Sequence, residues 1–408
     1  MRILTFCSYY TPEIAASMYL TTNMLEDWSL YGSEVIAFAP TPTRGVSKDV
    51  IEQYKRVKIE VSCDHRLTVR RFPMIQEKKN TFLRAFRYVW LSLAFLHYGL
   101  HTKADVMFID STPPIQGLVA TIIKRIKGIP YVYDLQDIFP DSLVNTGLCT
   151  EKSIFYKIGR IVERITYKNA DHIIAISEDF RKNIMEKGVP EEKISVIYNW
   201  VDENKVHYIS REQNTLFDEY GIDRDKFYIA YAGNIGYTQN MDLLLDVADR
   251  LSGDPDIGFI LVGDGAYMET VKKRINEQGL TNIALLPFQP YERISEVFSL
   301  GDVGLIISKS GIGNNSVPSK TWSYMAAGRP ILASFDLHSE LCELIRNHNC
   351  GVCVEPDNAD LMIGAIEEMK KTDSGISGRN GRNFIQQNLT REVGTKRYYK
   401  VLQAASHR

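Results

Sequence analysis

Short, almost wholly apolar runs recur along the chain, separated by stretches with helical spacing. In the first half they read RILTFC, EVIAFAP, VMFID, YVYDL, HIIAIS and ISVIYN. In the second half they read YIAYAG, IGFILVG, NIALLP, VGLIIS and RPILAS. A run that is apolar at every position predicts a strand buried on both faces, the parallel strand of a helix-covered sheet. Most intervals leave room for a crossover helix. The pattern predicts an α/β chain of doubly wound parallel sheets.

The runs fall into two series. Between them lies ENKVHYISREQNTLFDEYGIDRDK, Glu203 to Lys226, charged and irregular, which reads as a hinge. A chain of 408 residues also suits two cores, at roughly 200 residues each. The expected division is 1–204 for the first domain and 205–385 for the second. Residues 386–408, from a polar helical stretch, are expected to close the fold. No internal repeat or low-complexity tract interrupts it.

One helical pattern stands apart, Lys78 to His101. Phe82, Phe86, Val89, Leu93, Leu96 and Leu100 keep helical spacing, and Leu83, Trp90, Ala94 and Phe95 widen the apolar surface. Lys78, Lys79, Arg84 and Arg87 cluster at its start. The apolar part is too short to span a bilayer. Two readings stand: an interfacial helix whose basic end meets anionic headgroups, or a core helix with a solvated basic end.

Composition narrows the class. The formal charge of −2 gives no reason to expect nucleic acid as a partner. Six scattered cysteines indicate no disulfide framework and fit a reducing compartment. Cys350 and Cys353 have metal-like spacing, but CGVCVEP reads as a short buried strand and no second ligand pair matches it. MRILTFCSYY lacks an apolar h-region and a cleavage site, so it is expected to be a core strand rather than a signal peptide.

In a doubly wound sheet, ligands bind beyond the carboxyl ends of the strands. YAGNIGYTQNMDLLLDVA runs through Gly233 and Gly236 into a helix near Asn240, with Asn234 and Gln239 as hydrogen-bonding groups. Glycines let backbone approach a phosphate, and a helix start offers free N–H groups. The same turn between strand and helix is common without any phosphate. LVGDG repeats the theme with Gly263 and Asp264, where Asp264 fits a turn or cap better than a catalyst. IISKSGIGNNSVPSKTWSYMAAGRPILAS places Lys309, Lys320, Pro318 and Ser319 around a polar loop and helix start, an anion site or a solvated surface loop. In the first half, VYDLQDIFPDS puts Asp134, Gln136, Asp137 and Asp141 at a strand's end, as a base, a sugar-orienting group, or turn and cap residues.

Taken together, these stretches resemble the nucleotide-sugar glycosyltransferases of family 4, over nearly the whole chain. SYYTPEIAAS, with Tyr9, Pro12 and Ser17, is similar to the family's loop after the first strand. QDIFPDS is similar to its aromatic-Pro-acidic-Ser stretch. YAGNIGYTQNMDLLLDVA, LVGDG, LLPFQPYERISEVFSLGDVGL and VPSKTWSYMAAGRPILAS follow its donor domain in order. The resemblance implies the GT-B fold: two Rossmann-like domains facing a cleft. It implies that a sugar moves from a nucleoside diphosphate to an acceptor hydroxyl, with retention and without a metal ion or other cofactor.

By the same resemblance, Asp137 sits by the sugar, and Tyr9, Pro12, Ser17 and Gln136 line the first domain's side. Gly233, Asn234, Gly236, Gln239 and Asn240 line the diphosphate, with Gly263 and Asp264 beside them. The Pro287–Phe288 backbone meets the base, and Val317, Pro318 and Ser319 complete the pocket. Without Mg²⁺, helix starts and cationic side chains must stabilise the leaving diphosphate.

Three departures matter. Many family members carry Arg and Lys where Asn234 and Gln239 stand, and a pair of glutamates where Asn315 and Ser323 stand. The first loop has Ala15-Ala16-Ser17 in place of paired glycines. Substitution is the expected answer, with Lys309 and Lys320 replacing the cations and Glu340 reaching the ribose. The Pro-Ser-Lys variant is similar to transferases of bacterial capsule, O-antigen and exopolysaccharide assembly. That similarity implies UDP- or GDP-sugars, glycan or polyprenyl-linked acceptors, and a cytoplasmic site at the inner membrane face. The competing readings are a non-catalytic sugar-nucleotide-binding partner of another transferase, which the lost charges favour, and a sugar-nucleotide 2-epimerase on the same fold.

Overall fold

The computed structural model describes residues 1–13, 18–75, 81–145, 149–311, 318–372 and 375–407. The chain forms two compact units, one from Met1–Asn199 with Glu392–Arg408, the other Trp200–Arg391.

The first unit is built on eight strands: β1 (Arg2–Phe6), β2 (Glu34–Pro40), β3 (Ile59–Ser62), β4 (Leu67–Phe72), β5 (Val106–Asp110), β6 (Tyr131–Leu135), β7 (His172–Ala175) and β8 (Ile194–Val196). Their order is β3-β4-β2-β1-β5-β6-β7-β8, and among the described pairings only β3–β4 is antiparallel. The chain winds outward in both directions from β1, so the loop after β1 stands at the switch point.

The second unit has six parallel strands: β9 (Phe227–Asn234), β10 (Ile257–Asp264), β11 (Ile283–Leu286), β12 (Val303–Ile307), β13 (Ile331–Ser334) and β14 (Gly351–Val354). Their order is β11-β10-β9-β12-β13-β14, which puts the switch point between β9 and β12. Each sheet carries its own apolar core: Phe6, Phe38, Phe95 and Tyr131 among others in the first, Tyr231, Leu244, Phe259 and Leu305 among others in the second. Every apolar run quoted above forms a strand, and CGVCVEP supplies β14.

Two strands escape the all-apolar rule. β3 is exposed or half-buried along its length, and β4 alternates over its first residues. Their turn uses Cys63, Asp64 and His65 at positive φ, so no glycine announces it.

The division of the chain also differs from expectation. The 203–226 stretch is not a hinge, because it is packed into the second unit. Val206, Leu216 and Phe217 are buried. Arg211 pairs with Asp302 at 2.6 Å and donates to the Arg224 and Lys226 carbonyls. Its charges are internal ties, so the boundary falls after Asn199. The closing segment splits as well: helix Gly375–Asn388 stays with the second unit, and the chain from Glu392 on joins the first.

Helix Thr81–His101 has a buried core face and an exposed apolar face. Leu91 and Phe95 are buried, whereas Phe86, Val89, Trp90 and Leu93 are exposed. Arg87 corrects the basic-end reading, because it is buried. Its guanidinium donates to Thr43 Oγ1 at 2.7 Å and to the Ile75 carbonyl, and lies over the Tyr9 ring. Lys78 and Lys79 lie outside the described residues.

Candidate functional site

The second unit's switch point gathers most of the donor-site expectations. Gly233 and Gly263 are register partners at the ends of β9 and β10, as are Asn234 and Asp264. Both glycines have positive φ, 134° and 147°. A Cβ on Gly263 would stand 2.0 Å from the Gly233 carbonyl oxygen, so the strands can end this closely only without side chains.

Beyond them the turn is tied by its own polar groups. Gln239 Oε1 accepts from the Gly236 amide at 3.0 Å and from Asn234 Nδ2 at 3.4 Å. Asn240, at φ 40°, caps helix Met241–Arg250 by accepting from the Leu243 amide, and donates to Asp357. Asn240 is thus spent on structure, and Gln239 shapes the turn. Asp264 is exposed and accepts from the Gly265 amide, the turn role expected of it.

Lys320 comes to this turn from the neighbouring loop. It is the first residue of helix Lys320–Ala326, which follows β12. Its ammonium lies 3.8 Å from the centre of the Tyr231 ring, a cation–π contact. A Cβ on Gly233 would stand 3.2 Å from Lys320 Nζ. No carboxylate pairs with this ammonium among the described residues. Desolvation pulls its pKa down to about 7. Tyr231 is fixed from below, since its hydroxyl donates to the Asn234 carbonyl.

Lys309 differs: it is exposed, and its amide donates to the Thr238 carbonyl at 3.0 Å. Ser310 and Gly311 amides donate to Asp357 and Asp336, so three elements fasten this loop. Pro318 is half-buried, and exposed Ser319 makes no cap bond. Ser323, one turn after Lys320, is half-buried. Pro287 and Phe288 are exposed after β11, and Glu340 opens helix Glu340–Asn347 after β13. Val317 and Asn315 lie outside the described residues.

In the first unit, Asp137 is exposed beyond β6, and its Oδ2 accepts from Ser142 at 3.0 Å. Asp141 is structural: it pairs with Lys187 at 2.7 Å and accepts from the Tyr156 hydroxyl. Asp134 is buried. It accepts from Tyr398 at 2.9 Å and from Gln136 at 2.9 Å. Gln136 and Asn199 exchange reciprocal amide bonds. Asp110 is the register partner of Asp134. Burial, with the charge of Asp110 beside it, holds the Asp134 carboxyl well above the usual carboxylate range. Tyr9 and Pro12 lie half-buried in the loop after β1, and Ser17 lies outside the described residues.

Sequence reasoning missed Tyr231, Asp110 and Asn199. Each is an ordinary strand or loop residue in one dimension. A Tyr two positions before Gly233, an Asp ending β5 and an Asp next to the end of β6 were the available signals. No cluster of three or more metal-ligating side chains occurs among the described residues.

Two domains wound on parallel sheets, each with its loops at a switch point, define the GT-B architecture. The model of the family Glycosyl transferases group 1 matches residues 212–386, and that of the Glycosyl transferase 4-like domain matches 21–200. WcaI of Escherichia coli strain K12, named as a colanic acid biosynthesis glycosyl transferase, is 26% identical over 90% of this chain and 92% of its own. WbjE of Pseudomonas aeruginosa, named as a glycosyltransferase, is 25% identical over 72% and 74%. HepE of Anabaena, solved with UDP and glucose, superposes with a TM-score of 0.73 at 17% identity, covering 99% of this chain and all of its own. The chain belongs to the GT-B glycosyltransferases of the family 4 type.

Proposed function

We propose that the protein transfers a sugar, with retention and without a metal ion, from a UDP- or GDP-sugar to a hydroxyl of a glycan or polyprenyl-linked acceptor in bacterial surface polysaccharide synthesis. The observation that carries this is the Lys320 ammonium, poised over Tyr231 beside the side-chain-free Gly233–Gly263 pair with no carboxylate pairing it among the described residues. Leaving diphosphate needs such a cation close to backbone. Asn234 and Gln239 carry no charge, so Lys320 supplies what the family's usual Arg and Lys supply. A bound diphosphate restores full protonation to Lys320, because an opposite charge favours the ammonium.

The other roles follow from placement. Gly233, Gly236 and Gly263 admit the diphosphate. The exposed Pro287–Phe288 stretch borders the base. Glu340, on the loop after the next strand, takes the ribose in place of a carboxylate at Ser323. Asp137, exposed at the end of β6, attends the transferring sugar. The likeness to WcaI, named for colanic acid biosynthesis, supports the polysaccharide context. The exposed face of helix Thr81–His101 supports contact with a membrane carrying the acceptor, at its cytoplasmic side. No described helix is long and apolar enough to cross that membrane.

The test is a thermal-shift screen with UDP, GDP, dTDP, ADP and CMP. A nucleotide at one hundred times its Kd adds about 2.7 kcal/mol of stability. A shift with UDP or GDP alone is expected. No shift with any nucleotide would overturn the donor reading and favour the non-catalytic partner, the role to which the absent carboxylates point.

A further inference from the structure

Helix Ile154–Asn169 follows the loop that carries Asp137, and it is amphipathic in an unusual sense. Its buried positions are small or polar: Gly159, Glu163, Thr166 and, more apolar, Tyr167. Four large apolar side chains point outward. Ile154 is 67% exposed, Phe155 73%, Ile158 53% and Ile161 59%. These positions lie one above another on a helix, so they form one stripe about two turns long. A soluble helix ordinarily hides such a stripe, and its exposure marks an interaction surface.

The charges around the stripe say what covers it. Lys157, Arg164 and Lys168 are exposed along the same helix. The helix's carboxylate, Glu163, is buried and paired with Arg160 and Lys187. Exposed Glu151 precedes the helix among the described flanking residues, beside exposed Lys152. An apolar stripe with a cationic border matches an anionic lipid surface. It mismatches a second copy of the chain, because a two-fold contact would set the same cations against each other.

Placement adds a second argument. The helix packs on Ile115–Lys127, which packs on Thr81–His101, so all three form one layer over the first unit's sheet. Both outer helices begin after strand carboxyl ends, and both expose their apolar residues in their first half or middle. The Ile154–Asn169 helix is also bolted to the Asp137 loop. A Cβ on Gly159 would stand 2.9 Å from Phe139 and Pro140, and Tyr156 donates to Asp141.

We propose that the Ile154–Asn169 helix is a second lipid-contact element, seating Ile154, Phe155, Ile158 and Ile161 at an anionic bilayer with Lys157 and Arg164 against its headgroups. The inference rests on the membrane-acceptor reading above and deepens it: docking this helix sets the Asp137 loop at the bilayer surface where a lipid-linked acceptor stands.

The test uses the full chain and co-sedimentation with vesicles of phosphatidylglycerol and phosphatidylcholine, against phosphatidylcholine alone. Wild type is expected to bind the anionic vesicles. The double variant Phe155→Ser/Ile158→Glu is expected to bind at least about tenfold more weakly, with its melting temperature and nucleotide-induced shift unchanged. Lys157→Glu/Arg164→Glu is expected to lose the preference for anionic lipid. Val89→Glu/Leu93→Glu tests the Thr81–His101 face separately. If that variant alone abolishes binding, the second contact is wrong while the membrane reading stands. If wild type binds neither vesicle, both are wrong. If wild type self-associates without vesicles and Phe155→Ser/Ile158→Glu is monomeric, the stripe is a protein interface and the proposal is overturned.

Discussion

At the scale of the residue, the role proposed for Lys320 makes a prediction about pH. Desolvation holds its pKa down at about 7. On the proposed role, a bound diphosphate raises it again, so binding above pH 7 is expected to take up a proton. By linkage, affinity then falls as pH rises from 7 to 9, by up to about tenfold per pH unit. Titration calorimetry with UDP or GDP at pH 7, 8 and 9 is expected to show that fall, with a buffer-dependent heat from proton uptake. Lys320→Met is expected to bind more weakly throughout and to lose both the slope and the buffer dependence. A wild-type affinity that is flat over this range would remove Lys320 from the diphosphate. The sequence exposed Lys320 because a Pro-Ser-Lys turn before a helix is a local pattern. It hid Tyr231, whose ring becomes the lysine's platform only when β9 and the helix after β12 come together. It also misplaced Arg87, since charge alone does not reveal that an arginine turns inward to Thr43 and the Ile75 carbonyl.

At the scale of the element, the end of β6 is a hydrogen-bonded knot of Asp134, Gln136, Asn199 and Tyr398, with Asp110 alongside on β5. Asp134 is buried with half-buried Asp110 beside it, so desolvation and then the neighbouring charge keep a proton on the pair above the ordinary carboxylate range. Their folded-state titration is raised. The stability they contribute is therefore fully present below the unfolded carboxylate value, near about 4, and is lost as pH rises through the raised value. Asp134→Asn removes one ionisation. The melting temperature of the variant relative to wild type is expected to climb from pH 5 to about pH 8 and to level off above it. Parallel curves would show that the pair shares no proton. This knot includes Gln136, the residue next to Asp137, so it fixes the loop that presents that carboxylate. Sequence showed the strand and its acidic end. It could not show which acid is buried, because burial depends on Tyr398, far away in the chain. The same limit hid β3 and β4, whose partners, not their own apolarity, make them strands.

At the scale of the whole molecule, the last helix decides how the chain is partitioned. Arg391–Ser406 leaves the second unit's sequence and packs into the first. Tyr398 and Leu402 are fully buried there. Trp28 Nε1 donates to the Thr395 carbonyl at 3.2 Å, and Tyr31 and Tyr399 meet edge to face. Tyr398 also closes the Asp134 knot. Burying a large apolar side chain is worth about 1.5–3 kcal/mol, so losing several with their hydrogen bonds costs about 5 kcal/mol or more. That is comparable with the whole stability of a domain, roughly 5–15 kcal/mol. A chain ending at residue 391 is therefore expected to lose the melting transition of the first unit. Its second unit keeps both of its ends and its whole sheet, so it is expected to keep the nucleotide-induced shift while glycosyl transfer disappears. Calorimetry with and without UDP or GDP separates these outcomes. Should the shortened chain melt as wild type does, the helix would be an appendage and the Asp134 knot would need another anchor.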